Sequence, residues 1–494
     1  MKFRYLPLLI TDNPIRVLAL GITLIPTLSA QVSPESSLPQ VIGIEQVVQL
    51  SLANQFQISI GRIEQEQASE ATRVAAEPFE TRIQAEVLTF RDANSDPNNF
   101  PYSVEGSQQS IALNRSFSTG TSVNLSLNSD HFEDLDTPRS GEAMLTLQQN
   151  LLRGRSRAYN LAPIRIASKQ AEISTEALRQ TVIDTLTAAQ FAYFDALLAD
   201  ANLRVARESL ALAEQLLQEN HRRSEIGSIA PSDILQAEAE VAARLDRVYQ
   251  AEATLVRATN ALKQYLSNQG MRTLQWEFSM LPPPEPQAQD IVLMRDYEIA
   301  LLHRPDYRQT ILNLDIGEIE VLRQSHATLP NLDLFFQMSL EGWGDSFEDT
   351  FAEVRRDANP NYAVGISLSR SLSNRASQAR KSIARLEQNR RQMSLLELEQ
   401  AILLDLHTAA AQIESNWKRL TTASQGRKLA EQSLDAEQKR FQTGISSTFI
   451  LIRLQTDLAN AQIRELIAAN DYRKSVVEWE RQTGTLLQRH HIEL

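Results

Sequence analysis

Residues 164–226 read IRIASKQAEISTEALRQTVIDTLTAAQFAYFDALLADANLRVARESLALAEQLLQENHRRSEI, with neither glycine nor proline. Ala, Leu, Glu, Gln and Arg dominate, the residues that enter a helix at least cost. Apolar side chains recur at three- and four-residue steps: Leu178, Val182, Leu186, Ala189, Tyr193, Ala196, Leu203, Leu210 and Leu217. That spacing predicts one long helix with a packing seam, and its alanines let a partner helix approach closely. At 1.5 Å per residue, a helix of about 65 residues is roughly 100 Å long. An ordinary globular domain has no use for that length; a rod or a tunnel does.

The same pattern recurs downstream. No proline follows Pro360, and between Gly365 and Gly484 the only glycines are Gly426 and Gly444. Each long helix runs to a glycine turn, Arg223-Ser-Glu-Ile-Gly227 and Arg440-Phe-Gln-Thr-Gly444. A second long helix follows each turn, from Asp233 to near Asn268 and from Thr448 to near Gln482. Between the helices lie segments alternating with period two, at 80–90, 107–117, 121–130 and 142–151, then at Leu332–Leu340 and Val364–Leu368. These read as half-buried strands. Ser118-Thr-Gly120 reads as a hairpin turn, and Gly342-Trp-Gly344 as a loop between strands. The alternation suits a spanning β-wall and a soluble antiparallel sheet equally.

The plan of helix, strands, long helix, glycine turn and long helix is performed twice. A period above 200 residues is a duplication rather than a solenoid. The expected organisation is a first copy over 41–278, a proline-rich linker over 279–290, a second copy over 291–487 and a tail over 488–494. Before them, Lys2, Arg4 and Arg16 precede the apolar run Val17–Ile25 and the small residues Thr27, Ser29 and Ala30. This reads as a secretory signal peptide over residues 1–30.

Composition narrows the function. The 494 residues carry 49 basic and 61 acidic side chains, a net charge of −12. An acidic chain is a poor nucleic-acid binder. The absence of cysteine excludes disulfides, thiolate metal ligands and a thiol nucleophile. No nucleophile–base pairing, HExxH, Walker or dinucleotide-binding pattern is present, so no enzyme, cofactor or metal is expected. His490 and His491 belong to the tail, and Tyr193, Trp417 and Trp479 to helix packing.

Several motifs together resemble the outer membrane efflux protein family, the TolC-like channels, over residues 41–487. They are Arg304-Pro-Asp306, Asn361-Tyr-Ala-Val-Gly-Ile-Ser-Leu368, Leu151-Leu-Arg-Gly154, the two glycine turns and Thr483-Gly-Thr-Leu-Leu487. The resemblance implies an α+β membrane protein of a Gram-negative-type bacterium. Three chains would share one outer-membrane β-barrel, and their antiparallel coiled helices would form a periplasmic α-barrel. The function implied is an export duct of a tripartite efflux or type I secretion system. Its partners would be a periplasmic adaptor (membrane fusion protein), an inner-membrane transporter and outer-membrane lipid. The alternative is a soluble periplasmic coiled-coil scaffold. Four strands per chain would give a wall of twelve, and the hairpin over 107–130 either enlarges that wall or lies outside it.

In the family the turns at Gly227 and Gly444, with Arg223 and Arg440 beside them, are the tips that gate the channel and meet the adaptor. This chain departs from the pattern there. Where members carry tyrosine three residues before the second glycine stands Phe441, and where they carry arginine two residues after it stands Ser446. Ile450 and Arg453 occupy the positions of two aspartate rings, with Asp457 one turn beyond, while Asp233 keeps an acid in the first copy. Arg453 would either form a basic ring in the pore or face a neighbouring helix and pair with an acid.

Overall fold

The computed structural model describes residues 39–94, 102–132, 139–225, 229–357 and 359–492. The expected leader lies outside them, as does Gly227. Strand β1 (Val41–Ile42) leads into α1 (Ile44–Asn54) and α2 (Phe56–Ala76). Four strands follow, β2 (Arg82–Asn94), β3 (Tyr102–Ser116), β4 (Thr121–Phe132) and β5 (Arg139–Asn150). A short α3 (Arg157–Asn160) precedes the long α4 (Ala162–Glu225), then α5 (Pro231–Leu266), α6 (Met271–Gln275) and β6 (Ser279–Met280). Next come α7 (Leu293–His303), α8 (Pro305–Ala327), β7 (Asn331–Gly344), α9 (Phe347–Val354) and β8 (Asn361–Ser369). The last helices are α10 (Arg375–Gln442), α11 (Thr448–Thr483) and α12 (Leu486–Arg489).

Helix α4 carries the core and packs against α2, α5, α8 and α11. Leu178, Val182, Leu186, Ala189, Tyr193, Ala196 and Leu203 of the expected seam are buried. Beyond them the buried line runs through Val205, Ser209, Ala213, Leu216 and Asn220, while Leu210 and Leu217 are only half-buried. A helix of 3.6 residues per turn drifts against any repeat near 3.5, so over 64 residues the seam rotates. Tyr193 ties the core to the proline-rich linker: its hydroxyl donates to the Leu281 and Ile42 carbonyls. Burial pushes this phenol up to about 12, against the opposing charge of Arg473. From α11, Tyr472 donates to the Gln287 carbonyl at 2.5 Å.

Two sequence motifs meet where the break between α7 and α8 reaches the end of α11. The Arg304 guanidinium grips Asp306 through Nε and Nη2 at 3.0 and 2.7 Å, and its Nη1 donates to Gln482 Oε1 at 2.9 Å. Burial raises the Asp306 pKa, but Arg304 and the Tyr307 amide outweigh it and hold the carboxyl below its ordinary range. Gly484 ends α11 with φ +71°, and a Cβ there would lie 2.9 Å from the His303 carbonyl carbon. The Arg304-Pro-Asp306 break between α7 and α8 is thereby clamped onto the end of α11.

All the longer strands form one antiparallel sheet in the order β2-β3-β4-β5-β7-β8. The β3–β4 hairpin therefore sits inside the sheet. Opposed residues share a face. One face carries Ile83, Leu113, Leu125, Leu145, Met338 and Tyr362 from the six strands in turn, with Val87, Ile111, Leu127, Leu147, Phe336, Val364, Ile366 and Leu368 around them. The other carries Glu86, Gln108, Asn128, Glu142, Gln337 and Ser367. Residues of β2, β3, β4, β5 and β7 on and around this polar face line an open cavity of about 500 Å³.

Gly342-Trp-Gly344 is strand rather than the loop expected from its glycines. Gly342 pairs with Gly141 and Gly344 with Arg139. The glycines serve packing: a Cβ on Gly342 would lie 2.6 Å from the Val354 nitrogen of α9, and one on Gly344 would lie 2.6 Å from the Thr350 nitrogen.

Candidate functional site at the helix tips

The chemistry of helix ends shapes the junction where α4, α5, α10 and α11 meet. Helix α10 stops because Gly444 adopts φ +80°, a region that glycine enters freely. The Gly444 amide donates to the Phe441 carbonyl at 3.1 Å and the Ile445 amide to the Arg440 carbonyl at 3.0 Å, closing a Schellman motif. Pro231 starts α5 and Asp233 lies in its first turn, where a carboxylate favours the helix dipole.

Phe441 is buried with Leu216, Leu434, Leu451 and Ile452. Arg223, from the last turn of α4, covers it. Its guanidinium carbon lies 4.2 Å from the Phe441 ring centroid, and Nη1 donates to the Phe441 carbonyl at 3.0 Å. Nε donates to Glu219 at 2.8 Å, which fixes the rotamer. The same guanidinium therefore holds the end of α10 by a cation–π contact and a charged hydrogen bond. Asn220, also fully buried, donates to the Asp233 carbonyl and accepts from Thr448 Oγ1, both at 3.4 Å. Ser446 donates to Glu437 at 2.5 Å, and Arg440, largely exposed, reaches the same carboxylate at 3.4 Å.

The expected site residues thus divide. Arg223, Phe441 and Gly444 converge on one junction, with Asp233, Arg440 and Ser446 at its rim. Ile450, Arg453 and Asp457 stand apart, at three- and four-residue steps along one exposed face of α11. Neither Arg453 nor Asp457 has an ion-pair or side-chain hydrogen-bond partner among the described residues.

Besides Asn220, a second buried polar residue escaped sequence reasoning. Arg244 of α5 is 1% exposed and donates to Glu240 and the Ser209 carbonyl at 2.7 Å and to Gln455 at 3.1 Å. It joins α4, α5 and α11, several turns behind the tip. Its signal was a charge on a core seam, between Ala237 and Val248. Among the described residues no group of acids and histidines is arranged to hold a metal.

The sequence profile of the outer membrane efflux protein family matches residues 47–268. None of the curated protein sequences matches the chain. Solved structures are similar over nearly the whole length. The Campylobacter jejuni CmeC outer membrane channel aligns with a TM-score of 0.68 at 14% identity, covering 90% of this chain and 86% of that one. The Vibrio cholerae outer membrane protein VceC gives 0.66 at 14%, covering 89% and 96%. The open state of the Neisseria gonorrhoeae MtrE outer membrane channel gives 0.64 at 15%, covering 90% and 89%. At such identities the likeness is one of fold, while the family match carries the outer membrane as the place of action. Over residues 47–268, a little under half the chain, the sequence matches the outer membrane efflux protein family, and along nearly its whole length the chain shares the fold of outer membrane channels.

Proposed function

We propose that three copies assemble side by side into an export duct of a tripartite efflux or type I secretion system. Their sheets share one outer-membrane β-barrel, and their long helices form a periplasmic tunnel. The supporting observation is a set of apolar surfaces that one copy leaves uncovered. On α10, Leu386, Met393, Leu396 and Leu403 are exposed at heptad-like steps, and on α5 so are Leu235, Tyr249 and Val256. A stripe of that period suits a neighbouring helix. The sheet adds an apolar face that suits lipid, a polar face that suits a wet lumen, and two unpaired edges that lipid does not tolerate.

Internal duplication accounts for the element order. The helix break at Gln55 and that at Arg304 each precede a helix, strands, a long helix and a tip. The copies are residues 41–278 and 291–487, joined by the linker over 279–290 and followed by the tail over 488–494. The duct performs no catalysis. An inner-membrane transporter supplies the energy, and a periplasmic adaptor docks at the tips around the 227 and 444 turns. Arg223 latches α4 to α10 when the tip is closed. Ile450, Arg453 and Asp457 face the lumen there.

Detergent-extracted protein in a planar bilayer tests the reading: discrete ion-conducting steps are expected. A water-soluble protein that never inserts would favour the scaffold. Arg453→Asp removes a basic ring and adds an acidic one, so the permeability ratio should shift toward cations. Unchanged selectivity would place Arg453 outside the pore.

A further inference from the structure

We infer that all six strands of each copy line the wall, so that the closed barrel has eighteen strands, with β2 of one copy paired to β8 of the next. This rests on the trimer proposed above and goes beyond it in naming the seam and the width of the outer mouth.

Strand direction alternates along β2-β3-β4-β5-β7-β8, and the number is even, so β8 meets the next β2 antiparallel. The apolar face runs unbroken from edge to edge. At the edges Ile83 and Val87 are each 74% exposed, and Val364, Ile366 and Leu368 nearly as much. Natural edge strands are guarded by proline, bulges or inward charges. Here the lipid-type face carries none of these between Ile83 and Val87, or between Tyr362 and Leu368. Aligning the helix-proximal ends of the two strands sets Ile83 opposite Leu368, Ala85 opposite Ile366 and Val87 opposite Val364. Both alternations then match, apolar beside apolar.

The β3–β4 hairpin is built into this wall. Its turn is pinned where Asn160 donates to the Ser118 and Gly154 carbonyls at 2.8 and 2.6 Å, and where the Asn150 amide donates to the Gly120 carbonyl at 2.9 Å. A twelve-strand wall would need two of the six strands to leave the sheet and carry their apolar residues into water.

Widths agree as well. Six strands about 4.8 Å apart, tilted roughly 40°, span about 38 Å of circumference. Four helices packed at about 8–10 Å span roughly 32–40 Å. Each copy therefore contributes equal arcs to wall and tunnel, and the duct meets the membrane without narrowing. Barrels of 16–18 strands hold an aqueous channel. Cargo that has passed the tips meets no sieve in the wall.

The chain has no cysteine, so introduced pairs report without background. Ala85→Cys is combined in turn with Val364→Cys, Ile366→Cys and Leu368→Cys, which allows for barrel stagger. Leu125→Cys on β4 is combined with the same three, and Ala85→Cys also with Ala143→Cys and Leu145→Cys on β5, which β2 would neighbour within one chain if the β3–β4 hairpin left the wall and which should stay unlinked here. Outer-membrane preparations are oxidised and run on non-reducing gels, with native mass measured in parallel. The β2–β8 pairs should shift protomers to three times their mass, and the β4–β8 pairs should not. Links from β4 to β8, or links within one chain, would overturn the eighteen-strand wall. A trimer that none of the pairs links would overturn it too, while leaving the trimer intact. A monomeric mass would remove both.

Discussion

Helices α4 and α10 have nearly the same length, 64 and 68 residues, and both end at the tip junction. Their surroundings differ. The apolar line of α4 is covered inside the chain by α2, α5, α8 and α11. Much of the apolar line of α10 lies open, and its buried apolar positions fall where α7, α8 and α11 cross it, at Ala384, Ile402, Leu406, Ala409 and Ile413, and at the tip, at Leu434 and Phe441. The same heptad grammar thus serves two ends. In α4 it builds the protomer, and in α10 it is left for a second copy.

The comparison predicts effects of decreasing size. Leu186→Ala opens a cavity in the fully buried seam of α4 and should cost about 2–5 kcal/mol. Loss of protease-resistant protein from the outer membrane would show it. Leu396→Asp on α10 places a charge on an exposed position. The protomer should keep its helix content by circular dichroism while the native mass falls to one copy; an unaffected trimer would deny the stripe its role. Tyr193→Phe probes the core through pH. The folded phenol titrates near 12 against about 10 for the ordinary group, so its contribution is whole below pH 10 and is lost as pH rises through 12. Two units correspond to about 2–3 kcal/mol, and the variant should lose that alkaline dependence in urea titrations. Arg223→Ala should leave the trimer assembled. Removing one cation–π contact and one charged hydrogen bond, together about 2 kcal/mol, should raise open probability about thirtyfold in bilayer recordings. An unchanged open probability would make Arg223 a packing residue only.

The helices were legible because glycine and proline punctuate them, and the strands because alternation survives in a two-faced sheet. The Gly444 turn was legible too, since a positive φ at a helix end selects glycine. What escaped notice depends on neighbours. Alternation reports that a segment has two faces and says nothing about which strand lies beside it, so the place of the β3–β4 hairpin had to come from its register. Glycines at 342 and 344 read as a loop because the reason for them, the backbone of α9 at 2.6 Å, is distant in the chain. Arg244 and Asn220 were invisible for a related reason. A polar residue on a seam is tolerable only when partners from other helices satisfy it, and those partners are Gln455 and Thr448, each more than 200 residues away.

Native mass of the detergent-extracted protein tests most directly whether the open apolar faces are covered by other copies of the chain. The account predicts a single species of three protomers that Leu396→Asp dissociates. A wild-type protein that remains a stable monomer, with the α10 stripe open to detergent, would contradict it.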